Sequence, residues 1–275
     1  MSLKKDASGR RSIQVEVEVP GTPEEVWRAI ATGPGITAWF VPTVFEEKAG
    51  TPISLTMSFG PGMDAAAKVT QWNPPHRFAA EGELAPGSPS LATEWIVEAK
   101  AGGTCIVRVV HSLFASTDDW DNQLKDTEQG WPGFFRILLL YLTHFRGMSC
   151  TSTMAMALTQ GPEAAVWKAV TGPLALAGVT KGQAWKAPAG VPPLGGTVEE
   201  ILENDHMRSV LVRLDAPAPG VASVGTYNCG GPIQVCLSLY LYGDRAPAAI
   251  TRDQALWQTW LNERFPAEAP ASGMS

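Results

Sequence analysis

The phrase EEVWRAIATGP at Glu24–Pro34 returns later in the chain as AAVWKAVTGP at Ala164–Pro173. The tryptophans of the two phrases, Trp27 and Trp167, lie 140 positions apart. Each phrase follows a run that is typical of a strand, and each has the apolar spacing of a short amphipathic helix. The repetition predicts one fold built twice, with this helix placed just after the opening strand of each copy.

The first copy carries a full set of helix-start signals. Thr22 is a natural N-cap, Pro23 suits the first helical position, and the two glutamates that follow suit the positive end of the helix dipole. The run Gly33-Pro34-Gly35 is expected to end this helix. A second short helix is expected at Ile36–Phe40.

Alternating runs predict the sheet of the first copy. In SIQVEVEV (Ser12–Val19) apolar and polar residues alternate strictly, which is typical of a strand with one buried and one solvated face. Further strands are expected to follow as an antiparallel meander, at 43–47, Pro52–Phe59, Ala65–Asn73, Arg77–Glu83, Ser90–Lys100 and Thr104–Phe114.

An apolar stripe follows the meander and predicts a long amphipathic helix. A separate short helix is expected over 119–129, because Gly130 and Pro132 are typical of a break. The residues of the stripe recur at helical spacing: Trp131, Phe134, Phe135, Leu138, Leu142 and Phe145.

The second half repeats this order in a shorter form. A strand is expected at Thr153–Thr159, a helix at Gly161–Val170, four further strands, and a closing helix at Thr251–Phe265. The Gly- and Pro-rich segment Thr180–Gly196 is expected to replace two strands of the first copy. In the opening strand, the small residues Ala155 and Ala157 match the inward positions of the first copy. Their larger neighbours fall at the alternate positions, which face the other side of the sheet. Either the register shifts by one, or both faces of this strand are covered.

Composition places the chain among globular proteins with room for two cores. The 275 residues are 45% hydrophobic and 17% charged, with a net charge of −6. The negative charge argues against general binding to nucleic acid or anionic membranes. No apolar run reaches the ~18 residues of a membrane span, and no secretory signal is visible, so a cytoplasmic protein without membrane insertion is expected.

The sequence identifies no catalytic motif, metal site or cofactor site. None of HExxH, GxSxG or a P-loop is present, so the catalytic residues are unknown. The four cysteines form no CxxC pair and are expected to be free thiols, with a Cys229–Cys236 bridge as the alternative. No metal and no cofactor are expected.

The first half resembles the helix-grip fold of the START/Bet v 1-like (SRPBCC) superfamily, and within it the Hsp90-ATPase-activator-like branch. The resemblance rests on TPEEVWRAI with ITAWF, on VTQWNPPHRFAAEGE, on VVHSLF and on GWPGFFRILLLYL. It implies an α+β fold of two tandem helix-grip units, each an antiparallel meander wrapped around a long C-terminal helix. The domains are expected at 12–147, complete, and at 151–266, shortened and degenerate.

In this superfamily the space between helix and sheet often holds an apolar or amphipathic small molecule. Such a cavity is expected in the first domain, although most of its lining residues would also serve as ordinary core. His111 shares the parity of Val107 and Val109, so it is expected to face the interior as a polar handle, a general base or a structural histidine. The ligand-binding candidates are Trp39, Phe40, Trp72, Trp95, His111, Trp131, Phe135, Leu138, Tyr141 and Leu142.

Three functions remain open from the sequence. The favoured one is a cytoplasmic, non-enzymatic binding protein for a small hydrophobic or amphipathic molecule. The second is an enzyme of the cyclase, dehydratase or hydrolase kind, with His111 and either Glu81 or Tyr141 as acid and base. The third is an Hsp90-type chaperone regulator, which is disfavoured because the chain opens almost at once on the grip strand and carries a second grip-like copy. A homodimer is left open, and the second domain is expected to be mainly structural.

Overall fold

The computed structural model describes residues 3–6, 9–60, 62–83, 88–114, 121–228 and 231–266. The chain divides into two compact units, Met1–Gly147 and Met148–Ser275. Each unit is an antiparallel sheet with helices between its strands and a long helix at its C-terminal end. The predicted α+β architecture of tandem helix-grip units is therefore confirmed.

The first unit has an eight-stranded sheet in the order β1-β2-β8-β7-β6-β5-β4-β3. Its strands are β1 (Lys4–Lys5), β2 (Arg10–Pro20), β3 (Thr43–Lys48), β4 (Thr51–Ser58), β5 (Asp64–Asn73), β6 (Arg77–Glu83), β7 (Ser90–Lys100) and β8 (Thr104–Phe114). Its helices are α1 (Pro23–Ile30), α2 (Gly33–Thr37) and α3 (Asp121–Leu140), and α3 continues into a π-helical turn at Tyr141–Phe145.

The second unit has a six-stranded sheet in the order β10-β11-β12-β13-β14-β9. Its strands are β9 (Cys150–Thr159), β10 (Ala184–Lys186), β11 (Gly195–Glu203), β12 (Met207–Ala216), β13 (Gly220–Tyr227) and β14 (Ile233–Tyr242). Its helices are α4 (Glu163–Thr171) and α5 (Ala246–Arg264).

The repeated phrase forms α1 in the first unit and α4 in the second. At the start of α1, the Thr22 hydroxyl accepts from the Glu25 N–H at 3.3 Å, and the Glu25 carboxylate accepts from the Thr22 N–H at 2.9 Å. This reciprocal pair is a capping box. Helix α4 begins at Pro162 without a side-chain cap. Trp27 is buried, whereas Trp167 is half-buried against the core of the second unit.

Glu25 also holds the far end of the long helix. Its carboxylate accepts from Arg146 Nη1 at 2.6 Å, and Arg146 Nη2 donates to the Pro20 carbonyl at 3.2 Å. Because the same carboxylate also caps α1, Glu25 links the start of α1 to the end of the π-helical turn that follows α3.

Helix α2 begins three residues earlier than the sequence predicts. The expected helix at Ile36–Phe40 is wrong, because Thr32 caps a helix that starts at Gly33 and accepts from the Gly35 N–H at 3.0 Å. A Cβ at Gly35 would collide with the carbonyl oxygen of Arg28, so glycine lets α2 pack directly against α1. The run Gly33-Pro34-Gly35, which the sequence predicts to end α1, therefore begins α2.

Helix α3 is also longer than expected. The predicted break at Gly130 and Pro132 is wrong, because α3 runs through both residues. Proline inside a helix costs ~3 kcal/mol. The neighbouring Trp131 and Phe135 are buried on the sheet side, and burial of two large aromatic side chains offsets a cost of that size.

The second unit is shorter at one edge of its sheet. Strand β10 pairs with β11 as β4 pairs with β5 in the first unit, but β10 has only 3 residues. No counterpart of β3 is present in the described part of this unit. The segment Thr180–Gly196 therefore replaces one strand and shortens another, instead of replacing two.

The inward face of β9 is the one with the small residues. Ala155 and Ala157 are buried in the core, whereas Met154 and Leu158 are exposed. The large side chains Trp257 and Trp260 of α5 fill the same core, so small residues on the strand leave room for the helix. Both expected explanations are therefore wrong, because the register does not shift and the face with Met154 and Leu158 is not covered. Helix α5 itself begins at Ala246, before the predicted start.

The capping box gives a direct test of the opening phrase. Replacement of Thr22 by alanine removes the acceptor for the Glu25 N–H and should lower the free energy of unfolding by about 1 kcal/mol in denaturant titrations. Thr22→Ser keeps the hydroxyl and should stay close to the wild type. Equal losses in the two variants would show that the cap contributes nothing.

Candidate functional site

Five of the predicted ligand-binding residues form one aromatic cluster inside the first unit. Trp131 is its centre, with ring centroids 5.3 Å from Trp95, 5.2 Å from Phe40 and 5.4 Å from Phe135. Trp39 completes the group at 5.8 Å from Trp95. All five are buried, and we call them the aromatic wall. Their contacts join the turn after α2, the sheet and α3 at one place.

Trp72 lies outside the aromatic wall. It is half-buried and sits in a second aromatic group with Trp27, Phe45 and Phe78, at 5.1 Å from Trp27. Phe78 links the two groups by stacking on Trp95 at 6.1 Å. Of the predicted residues, Trp72 is therefore the one farthest from α3 in this chain of contacts.

The remaining apolar candidates lie on the last turns of the long helix. Leu138 and Leu142 are fully buried, and Tyr141 is buried at the first position of the π-helical turn. π-Helical turns are rare and occur frequently at functional sites. These three residues are part of the buried interior of the first unit.

His111 lies in the middle of the interior and uses both ring nitrogens. Trp131 Nε1 donates to His111 Nε2 at 2.8 Å, and His111 Nδ1 lies 2.9 Å from the Thr93 hydroxyl oxygen. An indole nitrogen only donates, so Nε2 is the acceptor and the proton sits on Nδ1, which donates to Thr93. The histidine therefore bridges the sheet and α3 as a neutral ring.

Burial lowers the pKa of His111 to about 4. A protonated ring would carry an N–H on Nε2, facing the N–H of Trp131. The neutral form is thus favoured both by desolvation and by the geometry of its hydrogen bonds. To act as a general base, His111 would first have to give up its bond to Trp131.

Glu81, the carboxylate predicted as a partner of His111, lies on the opposite face of the sheet. His111 pairs with Thr93, and Thr93 pairs with Ala80, so these three residues share the inner face. Glu81 follows Ala80 and points outward, where it is exposed. Glu94 also faces outward and forms an ion pair with Arg77. The acid and base pair of His111 with Glu81 is therefore not assembled.

A part of the inner face that sequence reasoning missed is left half-covered. Leu124 of α3 packs on Ile13, Leu91 and Leu113, so the helix covers the β2, β8 and β7 side of the sheet. The positions beyond it on β6 and β5 are small and only half-buried. We call them the small-residue patch: Ala65, Ala67, Val69 and Gly82.

The patch is shaped by the absence of side chains. Gly82 pairs with Leu91, and a Cβ at Gly82 would collide with the carbonyl oxygen of Ala66 and press on Ala67. Ala67 pairs with the buried Leu55. Across the sheet, the large side chains of Leu91 and Leu55 thus flank the small residues Gly82 and Ala67. The alternation of DAAAKV on β5 is the signal that could have predicted it.

Phe40 carries the aromatic wall toward the solvent. Its ring lies 4.5 Å from Phe134 and 5.8 Å from Phe59, and both of these rings are half-buried. A continuous run of aromatic rings therefore leads from His111 and Trp131 in the interior to the surface.

Neither metal ligands nor a disulfide is found in the described ranges. No group of three or more His, Cys, Asp or Glu residues there is arranged to hold a metal ion. Cys105, Cys150 and Cys236 are free thiols, and Cys229 lies outside the described residues. Within the same ranges, no helix has the length and apolar character that a membrane crossing requires.

Comparison with known proteins gives a family match within the first unit. Residues 10–136 match the family described as polyketide cyclase / dehydrase and lipid transport. The match runs from β2 into α3, and the predicted resemblance to the START/Bet v 1-like fold is confirmed. No curated protein matches the chain.

Some solved structures match nearly all of the chain and others about half of it. The di-domain ARO/CYC BexL from the BE-7585A biosynthetic pathway is 14% identical, with 94% of this chain and 100% of BexL covered at a TM-score of 0.43. DynU16, from the dynemicin biosynthetic locus, is 20% identical over 90% of this chain and 94% of its own, at 0.40. The Aha1 dimer from Colwellia psychrerythraea is 20% identical over 50% and 98%, at 0.39.

The buried histidine predicts a defined loss of stability in acid. The unfolded chain binds a proton at His111 below pH ~6.5, whereas the folded chain does not until about pH 4. Stability from this group is therefore complete above pH ~6.5 and falls as pH drops toward 4, by about 3 kcal/mol in total.

The free energy of unfolding at pH 7, 6, 5 and 4.5 should fall more steeply for the wild type than for His111→Gln. His76 is exposed, so His76→Gln should keep the wild-type slope. A wild-type slope in His111→Gln would contradict the buried neutral ring.

Proposed function

We propose that the first unit binds a small hydrophobic or amphipathic molecule between its sheet and α3. The single observation that carries the proposal is the half-covered inner face: a small-residue patch lies beside a continuous run of aromatic rings. Concave sites of this kind, apolar with few polar groups, are typical of small-molecule binding. The family match to cyclases, dehydrases and lipid transport proteins supports the same class of ligand.

The aromatic rings suit a flat apolar ligand better than a flexible, highly polar one. Phe40, Phe59 and Phe134 present faces and edges at the half-covered end, and aromatic surfaces gain both burial and ring contacts with such a molecule. Exposed apolar surface at this place is stabilised by a ligand that removes it from water. The ligand would therefore rest on the small-residue patch, with one edge against Phe134.

Binding is favoured over catalysis because His111, the best acid-base candidate, already has hydrogen-bond partners inside the protein. Both nitrogens of His111 are hydrogen-bonded inside the protein, and Glu81 lies on the other face of the sheet. An enzyme of the cyclase, dehydratase or hydrolase kind stays the second candidate, since the family description names cyclases and dehydrases. Regulation of a chaperone stays a prediction from the resemblance, and a homodimer stays open.

The patch can be filled from within to test the proposal. Ala67→Leu adds a branched side chain on the inner face, where it would occupy the ligand space, and Ala66→Leu adds the same atoms on the exposed outer face. Affinity for the fluorescent probe 1-anilinonaphthalene-8-sulfonate should fall at least about tenfold in Ala67→Leu and stay unchanged in Ala66→Leu.

Native mass spectrometry of the same three proteins would show whether a retained small molecule is lost in Ala67→Leu alone. Near-ultraviolet circular dichroism should confirm that the aromatic wall is intact in each variant. Equal probe affinity in Ala67→Leu and the wild type would remove the small-residue patch as the binding site.

A further inference from the structure

A row of paired residues crosses the inner face of the first sheet. His111 of β8 pairs with Thr93 of β7, Thr93 pairs with Ala80 of β6, and Ala80 pairs with Val69 of β5. Side chains of directly opposed residues lie on the same face of a sheet. The row therefore leads from the buried histidine to the small-residue patch, of which Val69 is a member, and Thr93 lies between the two.

The hydrogen bonds that reach Thr93 all run in one direction. Trp131 Nε1 can only donate, so it donates to His111 Nε2, and the ring proton on Nδ1 is donated to the Thr93 hydroxyl oxygen. A hydroxyl that accepts a hydrogen bond still has its own hydrogen to donate. The series of donors therefore ends at the Thr93 O–H.

This last donor has no acceptor in the part of the chain that the structure describes. There, the contact with His111 is the only hydrogen bond of the Thr93 side chain. Thr93 is half-buried, although its partners His111 and Ala80 are buried. Because β6 and β8 both pair with the backbone of β7, the exposed part of Thr93 is its side chain. The free donor is therefore accessible from the inner face of the sheet.

Other polar side chains in the protein use all of their groups. The Thr37 hydroxyl donates to the first carbonyl group of α2 at 2.8 Å and accepts from the Thr43 N–H at 3.0 Å. In the second unit, the Gln258 amide donates to the Met156 carbonyl at 2.9 Å and accepts from the Met156 N–H at 3.2 Å. Both side chains use a donor and an acceptor, whereas Thr93 uses only its acceptor.

The surroundings of Thr93 leave room for a ligand on one side. The hydroxyl oxygen receives the His111 proton from the side of β8, so the tetrahedral geometry of the oxygen directs its own O–H away from the ring. On the other side, β6 carries Ala80 opposite Thr93 and Gly82 two residues farther along the same face. Nothing larger than a methyl group on β6 therefore lies between the hydroxyl and the small-residue patch.

We propose that Thr93 is a specificity-determining residue of the binding site in the first unit, where its hydroxyl donates a hydrogen bond to an acceptor, such as a carbonyl oxygen, in an otherwise apolar ligand. This role rests on the proposed function, because it requires a ligand on the small-residue patch. Trp131 fixes the tautomer of His111, and that tautomer keeps the Thr93 hydroxyl as a donor. A donor held in place favours a ligand with a matching acceptor over one without it.

Two flat probes that differ in one acceptor test this role. 9-Fluorenone and fluorene have the same fused rings, and the carbonyl group of the first replaces a methylene group of the second. Equilibrium dialysis of the full chain should give the wild type about fivefold higher affinity for fluorenone, the effect of one neutral hydrogen bond. In Thr93→Val, which keeps the shape and removes the donor, the ratio should fall to about one or below, because a carbonyl group buried without a donor lowers affinity.

Thr93→Ser is the matched control, because it keeps the hydroxyl, and its affinity ratio should stay close to that of the wild type. The ratio is measured because Thr93→Val also removes the partner of His111, and a weaker fold lowers both affinities alike. Infrared spectroscopy gives a readout in the wild type itself. The carbonyl stretching frequency of bound fluorenone should lie below its value in hexane, since a hydrogen bond weakens the carbonyl bond.

The outcomes separate the role of Thr93 from the function on which it rests. Equal affinities of the wild type for the two probes, an unchanged ratio in Thr93→Val, or a carbonyl frequency equal to that in hexane would each overturn the role of Thr93. If Ala67→Leu still weakens fluorene binding in that case, the site in the first unit stands without this contact. Absence of binding for both probes, or fluorene affinity unchanged in Ala67→Leu, would remove the site and the role of Thr93 together.

Discussion

The hydrogen bond from Trp131 to His111 joins the long helix to the sheet at the centre of the first unit. It places a polar contact, extended by the Thr93 hydroxyl, among buried aromatic and aliphatic side chains, so its loss would leave buried polar groups unpaired. The helix is fixed at its other end by Arg146 and Glu25. Between these two points its position relative to the strands has little freedom, and the shape of the half-covered face follows from that position.

Much of the first unit was predictable from the local pattern. The bounds of β6, β7 and β8 are those that alternation predicts, because each strand has one buried and one solvated face. The start of α2 and the continuity of α3 were not predictable in this way. At both places glycine and proline signal a break locally, while close packing of α1 on α2 and burial of Trp131 decide the outcome.

The candidate site was predictable only in its residue types. The sequence places aromatic residues and one histidine on interior faces, and the structure brings Trp39, Phe40, Trp95, Trp131 and Phe135 together. The sequence could not reveal that His111 and Trp131 form a hydrogen bond with each other. They lie on a strand and a helix, and the sequence does not give the relative position of these two elements. The sequence analysis also missed Ala67 and Gly82. The alternation of DAAAKV indicates small residues on one face of β5, but the pairing of Gly82 with Leu91 and of Ala67 with Leu55 is a tertiary feature.

The Gln258 amide has a further consequence for the edge of the second sheet. In the first unit the outer edge of β2 is paired by β1, a two-residue strand of lysines. In the second unit β9 is the terminal strand, and an open strand edge is a template for pairing with other chains. Gln258 offers Met156 the same donor and acceptor that a neighbouring backbone would offer. The Gln258 side chain thus makes the two hydrogen bonds that one residue of a neighbouring strand would make. It blocks the middle of β9 from pairing with a strand of another chain.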